Sequence, residues 1–77
     1  MDREVGISTI QKMAVKWYKL VAEQGHPDAQ YTLGNKYAWG LEVLKSDEVA
    51  IKWYELAARQ GYKPAKTALN FMQLSKH

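Results

Sequence analysis

The sequence predicts an all-α protein, an α/α solenoid built from two antiparallel helix pairs, four helices in all. Three observations lead to this fold class. One segment of the chain recurs 36 residues later, and apolar residues recur at spacings of three and four inside each copy. Glycine and proline stand where helices would end and begin.

The internal repeat is the strongest of these observations. Residues 14–25 and residues 50–61 carry the same Trp-Tyr pair and the same closing Gln-Gly pair in one register. Ten of the twenty positions in residues 14–33 are identical to those in residues 50–69. Because composition alone does not align so many residues at one offset, the two segments are predicted to adopt the same structure.

Each copy has the pattern of two helices. The apolar residues of the first helix in each copy form one face: Ala14, Trp17, Tyr18, Val21 and Ala22, then Ala50, Trp53, Tyr54, Ala57 and Ala58. Gly25 and Gly61 follow these helices, where a positive φ often ends a helix. Pro27 and Pro64 suit the first turn of the next helix. We predict helices near residues 8–24, 28–39, 46–60 and 64–75.

Serine residues supply the predicted start of the first helix in each copy. Ser8 and Gln11 have the spacing of a capping box. Ser46 is followed by Asp47 and Glu48, whose charges suit the positive end of a helix dipole. These signals predict that the two helices begin at Ser8 and at Ser46.

Small residues stand beside large rings on the predicted inner faces. The small residues are Ala14, Ala22, Ala29 and Gly34 in the first copy and Ala50, Ala58 and Ala65 in the second. Small side chains allow helices to approach closely while larger rings fill the gaps. We therefore predict that Trp17 and Trp53 are equivalent, buried core residues.

These strings resemble a known repeat. The pattern Ala-x-x-Trp-Tyr-x-x-Ala-x-x-Gln-Gly-x-x-x-Ala occurs twice in close form, and residues 29–40 read Ala-Gln-x-x-Leu-Gly-x-x-Tyr-x-x-Gly. Both are similar to the Sel-1-like repeat, a relative of the tetratricopeptide repeat, over roughly residues 10–72. The resemblance implies a right-handed α/α superhelix that acts as a protein-binding adaptor in bacterial and eukaryotic complexes. It does not imply catalysis.

The chain departs from the family pattern at three places. Glu42 stands where the family usually has a second glycine, so we expect an unusual path for the loop of residues 41–45. Ser46 replaces the customary aspartate cap. In the last helix Asn70 stands at the position of Gly34, and Gln73 stands at the tyrosine position. The last helix is therefore predicted to be a terminal cap.

Composition limits the remaining possibilities. The 77 residues are 47% hydrophobic, enough for one globular domain over residues 1–77, with repeat one at about 8–45 and repeat two at about 46–77. Cysteine is absent, and the two histidines, His26 and His77, have no metal-ligand or triad spacing. We expect no enzymatic activity, no metal and no cofactor. The sequence has no secretory signal pattern and no membrane span, so we expect a cytoplasmic protein.

The number of repeats bears on assembly. Repeat modules normally need about three units for a self-sufficient core. Two repeats leave apolar surface exposed at the ends of the stack. We therefore expect that the chain forms an oligomer, binds a partner protein constantly, or is part of a longer repeat array. A homodimer is the first expectation among these.

The candidate binding residues lie off the apolar face of the first helix in each pair. The resemblance implies that these helices line the groove that binds a partner: Lys12, Lys16 and Lys19 in the first repeat, and Lys52, Glu55 and Arg59 in the second. A net basic groove indicates a partner protein or peptide with acidic residues or a free carboxylate. The alternative is an ordinary solvated helix face, which is the commoner arrangement.

Trp39 is a further candidate, because it has no aromatic counterpart in the second repeat. An exposed tryptophan is a common interface anchor. The alternative is that Trp39 packs under the loop that holds Leu41, Val43 and Leu44.

Three functions remain open at this point. The first is a protein–protein adaptor that uses the helical groove and Trp39. The second is a small inhibitor or immunity-type protein that docks rigidly on one enzyme. The third, less favoured, is nucleic-acid binding through Lys52, Arg59, Lys63 and Lys66, since the second half of the chain is basic but contains no nucleic-acid motif.

Overall fold

A computed structural model describes the backbone of residues 2–75 and the side chains of residues 13–74. Over residues 2–75 it contains four helices and no strand: α1 (Asp2–Glu23), α2 (Pro27–Trp39), α3 (Asp47–Arg59) and α4 (Lys63–Ser75). Each helix packs against the next one along the chain, and the molecule is flat, with extents of 42 × 29 × 15 Å. The predicted all-α solenoid of two helix pairs is confirmed.

The helix bounds agree with the sequence except at the start of α1. The bounds of α2, α3 and α4 lie within one residue of those predicted. In contrast, α1 begins at Asp2, so Ser8 lies inside the helix and the predicted capping box is wrong. No proline precedes Ser8, and one glycine, Gly6, is tolerated inside a helix at a cost of about 1 kcal/mol.

The second predicted cap is confirmed. Ser46 has an extended backbone immediately before α3, and its Oγ accepts a hydrogen bond of 3.3 Å from the Val49 backbone N–H. Asp47 and Glu48 occupy the first turn, where the helix dipole favours their charge. Pro27 is also confirmed in the first turn of α2.

Left-handed backbone conformations shape the turns. Gly25 (φ +98°) and Gly61 (φ +86°) end the two equivalent turns after α1 and α3, as the sequence predicts. Glu42 also has a positive φ, +68°, at the position where the resemblance led us to expect glycine. Its carboxylate lies 2.6 Å from Lys36 Nζ, and this ion pair holds the loop against α2. The loop therefore keeps a glycine-type turn without a glycine.

Two clusters of buried side chains form the core. The first consists of Ala22, Ala29 and Leu33 from α1 and α2, and Trp53 from α3 packs against it. The second consists of Ala50, Tyr54, Ala57 and Ala65 from α3 and α4. Four of the seven buried hydrophobic residues, Ala22, Ala29, Ala50 and Ala65, are among the small residues singled out in the sequence. They also let neighbouring helices approach closely.

One close contact between the repeats joins Gly34 to Tyr54. A Cβ atom on Gly34 would lie 2.6 Å from Cε1 and 2.7 Å from Cδ1 of Tyr54, so the ring rests directly on the backbone of α2. In the turn after α3, Gln60 Nε2 donates hydrogen bonds to the Gly25 carbonyl (2.8 Å) and to Gln30 Oε1 (3.1 Å). Trp53, Tyr54 and Gln60 therefore attach the second repeat to the first.

The prediction that Trp17 is a buried core residue is wrong. Trp17 is 64% exposed, whereas Trp53 is half-buried. The difference arises because Trp53 packs on the preceding repeat, against Ala22, Ala29 and Leu33. No described residue occupies the corresponding position beside Trp17. Trp53 therefore belongs to the junction between the two repeats, and Trp17 does not.

Candidate protein-binding groove

An open groove runs between α2 and α4, with α3 as its floor. Its volume is about 680 Å³, in the range of roughly 300–1,000 Å³ that is typical of binding pockets. The lining residues come from these three helices and the loop before α3: Tyr31, Asn35, Ala38, Trp39, Lys45, Asp47, Tyr54, Pro64, Thr67, Ala68, Phe71 and Met72. We call this surface the aromatic groove.

The two walls of the aromatic groove expose large rings. Trp39 at the end of α2 is 70% exposed, and Phe71 on α4 is 67% exposed. Exposed side chains of this size and chemistry supply binding energy when a partner covers them. The prediction that Trp39 is exposed agrees with the structure. The alternative, that Trp39 packs under the loop, is wrong, because its ring stays largely exposed and Leu44 in that loop is itself 90% exposed.

Ring contacts and a hydrogen bond connect Tyr54, on the floor of the aromatic groove, to α2. The Tyr31 ring packs at a tilt against Tyr54, with 5.9 Å between ring centroids, and against Tyr62, with 5.5 Å. The Tyr54 hydroxyl donates a hydrogen bond of 2.5 Å to Asn35 Oδ1. Burial of the phenol, together with the neighbouring Tyr31, raises the pKa of Tyr54 to about 12. The Tyr54 hydroxyl therefore stays protonated at physiological pH and donates its hydrogen bond to Asn35.

Two side chains of opposite charge lie together at the rim of the aromatic groove. Lys45 Nζ lies 3.0 Å from Asp47 Oδ1, and both side chains are about half exposed. An exposed pair of this kind contributes little stability, roughly 0–1 kcal/mol. The pair therefore adds no net charge to the rim of the aromatic groove.

The structure separates the predicted binding residues into two surfaces. Trp39 lines the aromatic groove, and none of the predicted charged residues joins it there. Lys16 and Lys19 lie on α1 around a shallow depression that also includes Leu20 and Glu23. We call this second surface the α1 depression.

The remaining predicted residues lie on α3 or outside the described side chains. Lys52 and Arg59 are exposed, and Glu55 is half-buried. The side chain of Lys12 lies outside the described residues. Neither Lys16 nor Lys19 nor Lys52 forms an ion pair with a described residue. Their role in binding stays a prediction.

Sequence reasoning missed Tyr31, Phe71 and Met72 as lining residues. Phe71 corresponds to Asn35 at the 36-residue offset, and Met72 corresponds to Lys36. An apolar residue in one copy of a repeat, at a position where the other copy has a polar residue, indicates a surface that the other copy lacks.

Two further properties concern the described part of the chain. No helix there is long and apolar enough to cross a membrane. Within the same residues, no group of three or more histidine, cysteine, aspartate or glutamate side chains is placed to hold a metal ion.

Two stacked helix pairs, with an open groove between their second helices, define the class of the chain as a helical-repeat solenoid. The family model described as Sel1 repeat matches residues 10–26 and 27–62, more than half of the chain. The chain therefore belongs to the Sel1 repeat family, whose repeats are generally protein-interaction modules. Comparison with curated proteins and with solved structures finds no match to this chain.

Proposed function

We propose that this chain is a non-catalytic protein-interaction adaptor that binds a segment of a partner protein in the aromatic groove. The observation that carries the proposal is the groove itself, a cavity of about 680 Å³ with exposed Trp39 and Phe71 on its two walls. Membership of a family of protein-interaction modules supports the same function.

The chemistry of the aromatic groove indicates the kind of partner. Trp39 and Phe71 leave apolar area in water that a partner side chain would cover, at roughly 25 cal/mol for each Å² removed from water. The open shape fits a chain segment that crosses the groove. A partner segment with a large apolar or aromatic anchor is therefore the best fit.

The basic residues of α1 and α3 give the adaptor a second contact. Lys16, Lys19, Lys52 and Arg59 are exposed cations. Acidic residues of the partner would be attracted to them, mainly increasing the association rate and its dependence on salt. The apolar anchor supplies most of the affinity, and the cations add to it.

The test is peptide selection followed by binding measurements. A displayed library of random peptides is selected on the wild-type chain, and the affinities of enriched peptides are then measured by calorimetry. We expect enriched peptides to share an apolar anchor and to bind Trp39→Ala at least about tenfold more weakly, as for a hot-spot residue. Leu44→Ala is the matched control, because Leu44 is 90% exposed but lies outside the groove.

The affinities of these variants show which of the two surfaces binds the peptide. If Trp39→Ala and Phe71→Ala leave peptide affinity unchanged, the aromatic groove is not the binding site. If Lys16→Glu with Lys52→Glu abolishes binding while Trp39→Ala does not, the partner binds the basic helix faces instead.

An inhibitor or immunity-type protein is the second candidate. The compact, flat shape, only 15 Å across its shortest extent, favours rigid docking on a single partner. Affinity capture from the native cell distinguishes the two functions. One stoichiometric partner that resists high salt favours the inhibitor, and several partners that share an apolar anchor segment favour the adaptor.

A further inference from the structure

The exposed face of α1 repeats the face by which α3 attaches to the first repeat. The three attaching residues of the second repeat are Trp53, Tyr54 and Gln60. At the 36-residue offset α1 and its turn carry the identical residues Trp17, Tyr18 and Gln24. We call these the donor set. The first repeat therefore has the same residues for these three contacts, although His26 stands where Tyr62 contacts Tyr31 across the junction.

Trp17 and Gln24 of the donor set are exposed, whereas Tyr18 is half-buried and already packs against the core of its own repeat. Met13, Trp17 and Leu20 lie three or four positions apart on α1 and are 62%, 64% and 57% exposed. Their counterparts in the second repeat, Val49 and Trp53, are half-buried, and Leu56 is 39% exposed. A continuous apolar stripe of this kind on a surface marks an interaction site.

The other end of the chain cannot receive a donor set. In the first repeat the receiving residues include Gln30, Gly34 and Asn35, which contact Gln60 and Tyr54. Lys66, Asn70 and Phe71 stand at the corresponding positions of α4. We call these three the blocking residues.

Each blocking residue removes one contact of the repeat junction. Because a Cβ on Gly34 would lie 2.6 Å from Tyr54, the side chain of Asn70 would collide with a tyrosine docked in the same way. Phe71 cannot accept the hydrogen bond that Asn35 accepts from Tyr54. Lys66 cannot accept one from the glutamine of the next repeat, as Gln30 does. The family match also ends at residue 62, before α4.

We propose that the donor face of α1 is a docking site for the last helix pair of a separate polypeptide that ends in an open Sel1 repeat. That partner carries alanine, alanine and leucine-glycine at the positions of Ala22, Ala29 and Leu33-Gly34. When α1 docks on this partner, the two form the same kind of junction that already joins the two repeats of this chain. The blocking residues exclude a second copy of this chain in the same register, so the assembly has a fixed direction and stops at α4. This proposal does not rest on the aromatic groove.

The test uses an engineered receiver made from the chain itself. The receiver carries Lys66→Gln, Asn70→Gly and Phe71→Asn, which restore the residues of the receiving repeat. It also carries Trp17→Ala, which prevents one receiver molecule from binding another. Circular dichroism and a cooperative thermal transition establish that it is folded. Mixed with the wild-type chain, it is expected to give a one-to-one complex of twice 8.8 kDa by sedimentation velocity.

Matched variants assign the complex to the two faces. Trp17→Ala in the wild-type partner is expected to weaken binding at least about tenfold, whereas Trp39→Ala, the other exposed tryptophan, leaves it unchanged. A receiver that retains Asn70 but carries the other substitutions is expected not to bind. Loss of binding only with Trp17→Ala also separates this site from the aromatic groove.

Three results would overturn the proposal. The first is a folded receiver that forms no complex with the wild-type chain. The second is a complex that survives Trp17→Ala. The third is a wild-type chain that dimerises by itself through Trp17, because the donor face would then be covered by a second copy and not by an open repeat.

Discussion

Gly34→Ala is expected to destabilise the protein although alanine is the better helix former. The new Cβ would lie 2.6 Å from Cε1 of Tyr54, a side chain that is 2% exposed, so the ring or the helix backbone must shift. Overpacking of this kind costs about 1–3 kcal/mol. If the ring shifts, its hydrogen bond to Asn35 is also weakened, at about 1 kcal/mol.

Helix propensity opposes this loss only in part. Alanine gains about 1 kcal/mol over glycine inside a helix. The net expectation is a loss of about 2 kcal/mol, from the overpacking and hydrogen-bond terms less the propensity gain. For a domain of this size that corresponds to a fall in Tm of roughly 8–16 °C.

The assay is thermal unfolding followed by circular dichroism at 222 nm, with the equivalent position of α4 as the control. Asn70 is exposed and occupies the position of Gly34 in the second repeat. Asn70→Ala is expected to leave Tm unchanged or to raise it slightly, because residue 70 is exposed and alanine has the higher helix propensity. A Gly34→Ala variant as stable as the wild type would refute the close contact between α2 and Tyr54.

Three further predictions concern the cap, the turn and the buried phenol. Ser46→Ala removes the acceptor of the Val49 N–H and is expected to cost about 1 kcal/mol in denaturant unfolding. Gln60→Ala removes the hydrogen bond to the Gly25 carbonyl and is expected to cost up to about 1 kcal/mol in the same assay. The Tyr54 pKa of about 12 lies above the unfolded value of 10.0. Its contribution to stability is therefore complete below pH 10 and is lost between pH 10 and pH 12, which unfolding measured across this range will detect.

Each of these three has its own control. Ser46→Asp keeps a capping oxygen and should retain most of the stability. Gln24→Ala alters the equivalent glutamine of the first repeat, which forms no side-chain hydrogen bond with a described residue, and should have little effect. Tyr54→Phe should remove the steepest part of the alkaline loss. An alkaline loss as steep in Tyr54→Phe as in the wild type would show that another group causes it.

The fold was predictable because local signals and the repeat agreed. Gly25 and Gly61 marked the turns, Ser46 marked the start of α3, and the helix bounds after residue 24 follow from them. The start of α1 was not predictable from Ser8, because a serine with a glutamine three positions later also occurs inside helices. A capping signal without a helix-breaking residue before it does not fix a boundary.

The site was only partly predictable because it depends on how repeats pack together. Periodicity placed Trp17 and Trp53 on equivalent faces, but burial of each ring depends on a neighbouring repeat that periodicity does not describe. The aromatic groove forms between helices that are not adjacent in sequence. Trp39 was identified because it interrupts the repeat. Phe71 interrupts it equally, and applying the same criterion to α4 would have identified the second wall.

The stacking of the second repeat on the first through Trp53 is tested most directly by acrylamide quenching of single-tryptophan variants. One variant retains Trp53 (Trp17→Phe, Trp39→Phe), and its counterpart retains Trp17 (Trp39→Phe, Trp53→Phe). Because Trp53 packs against Ala22, Ala29 and Leu33 while Trp17 is 64% exposed, we expect Trp53 to emit at shorter wavelength and to be quenched less than Trp17. Equal quenching of the two indoles, or stronger quenching of Trp53, would contradict the repeat junction on which both proposed binding surfaces depend.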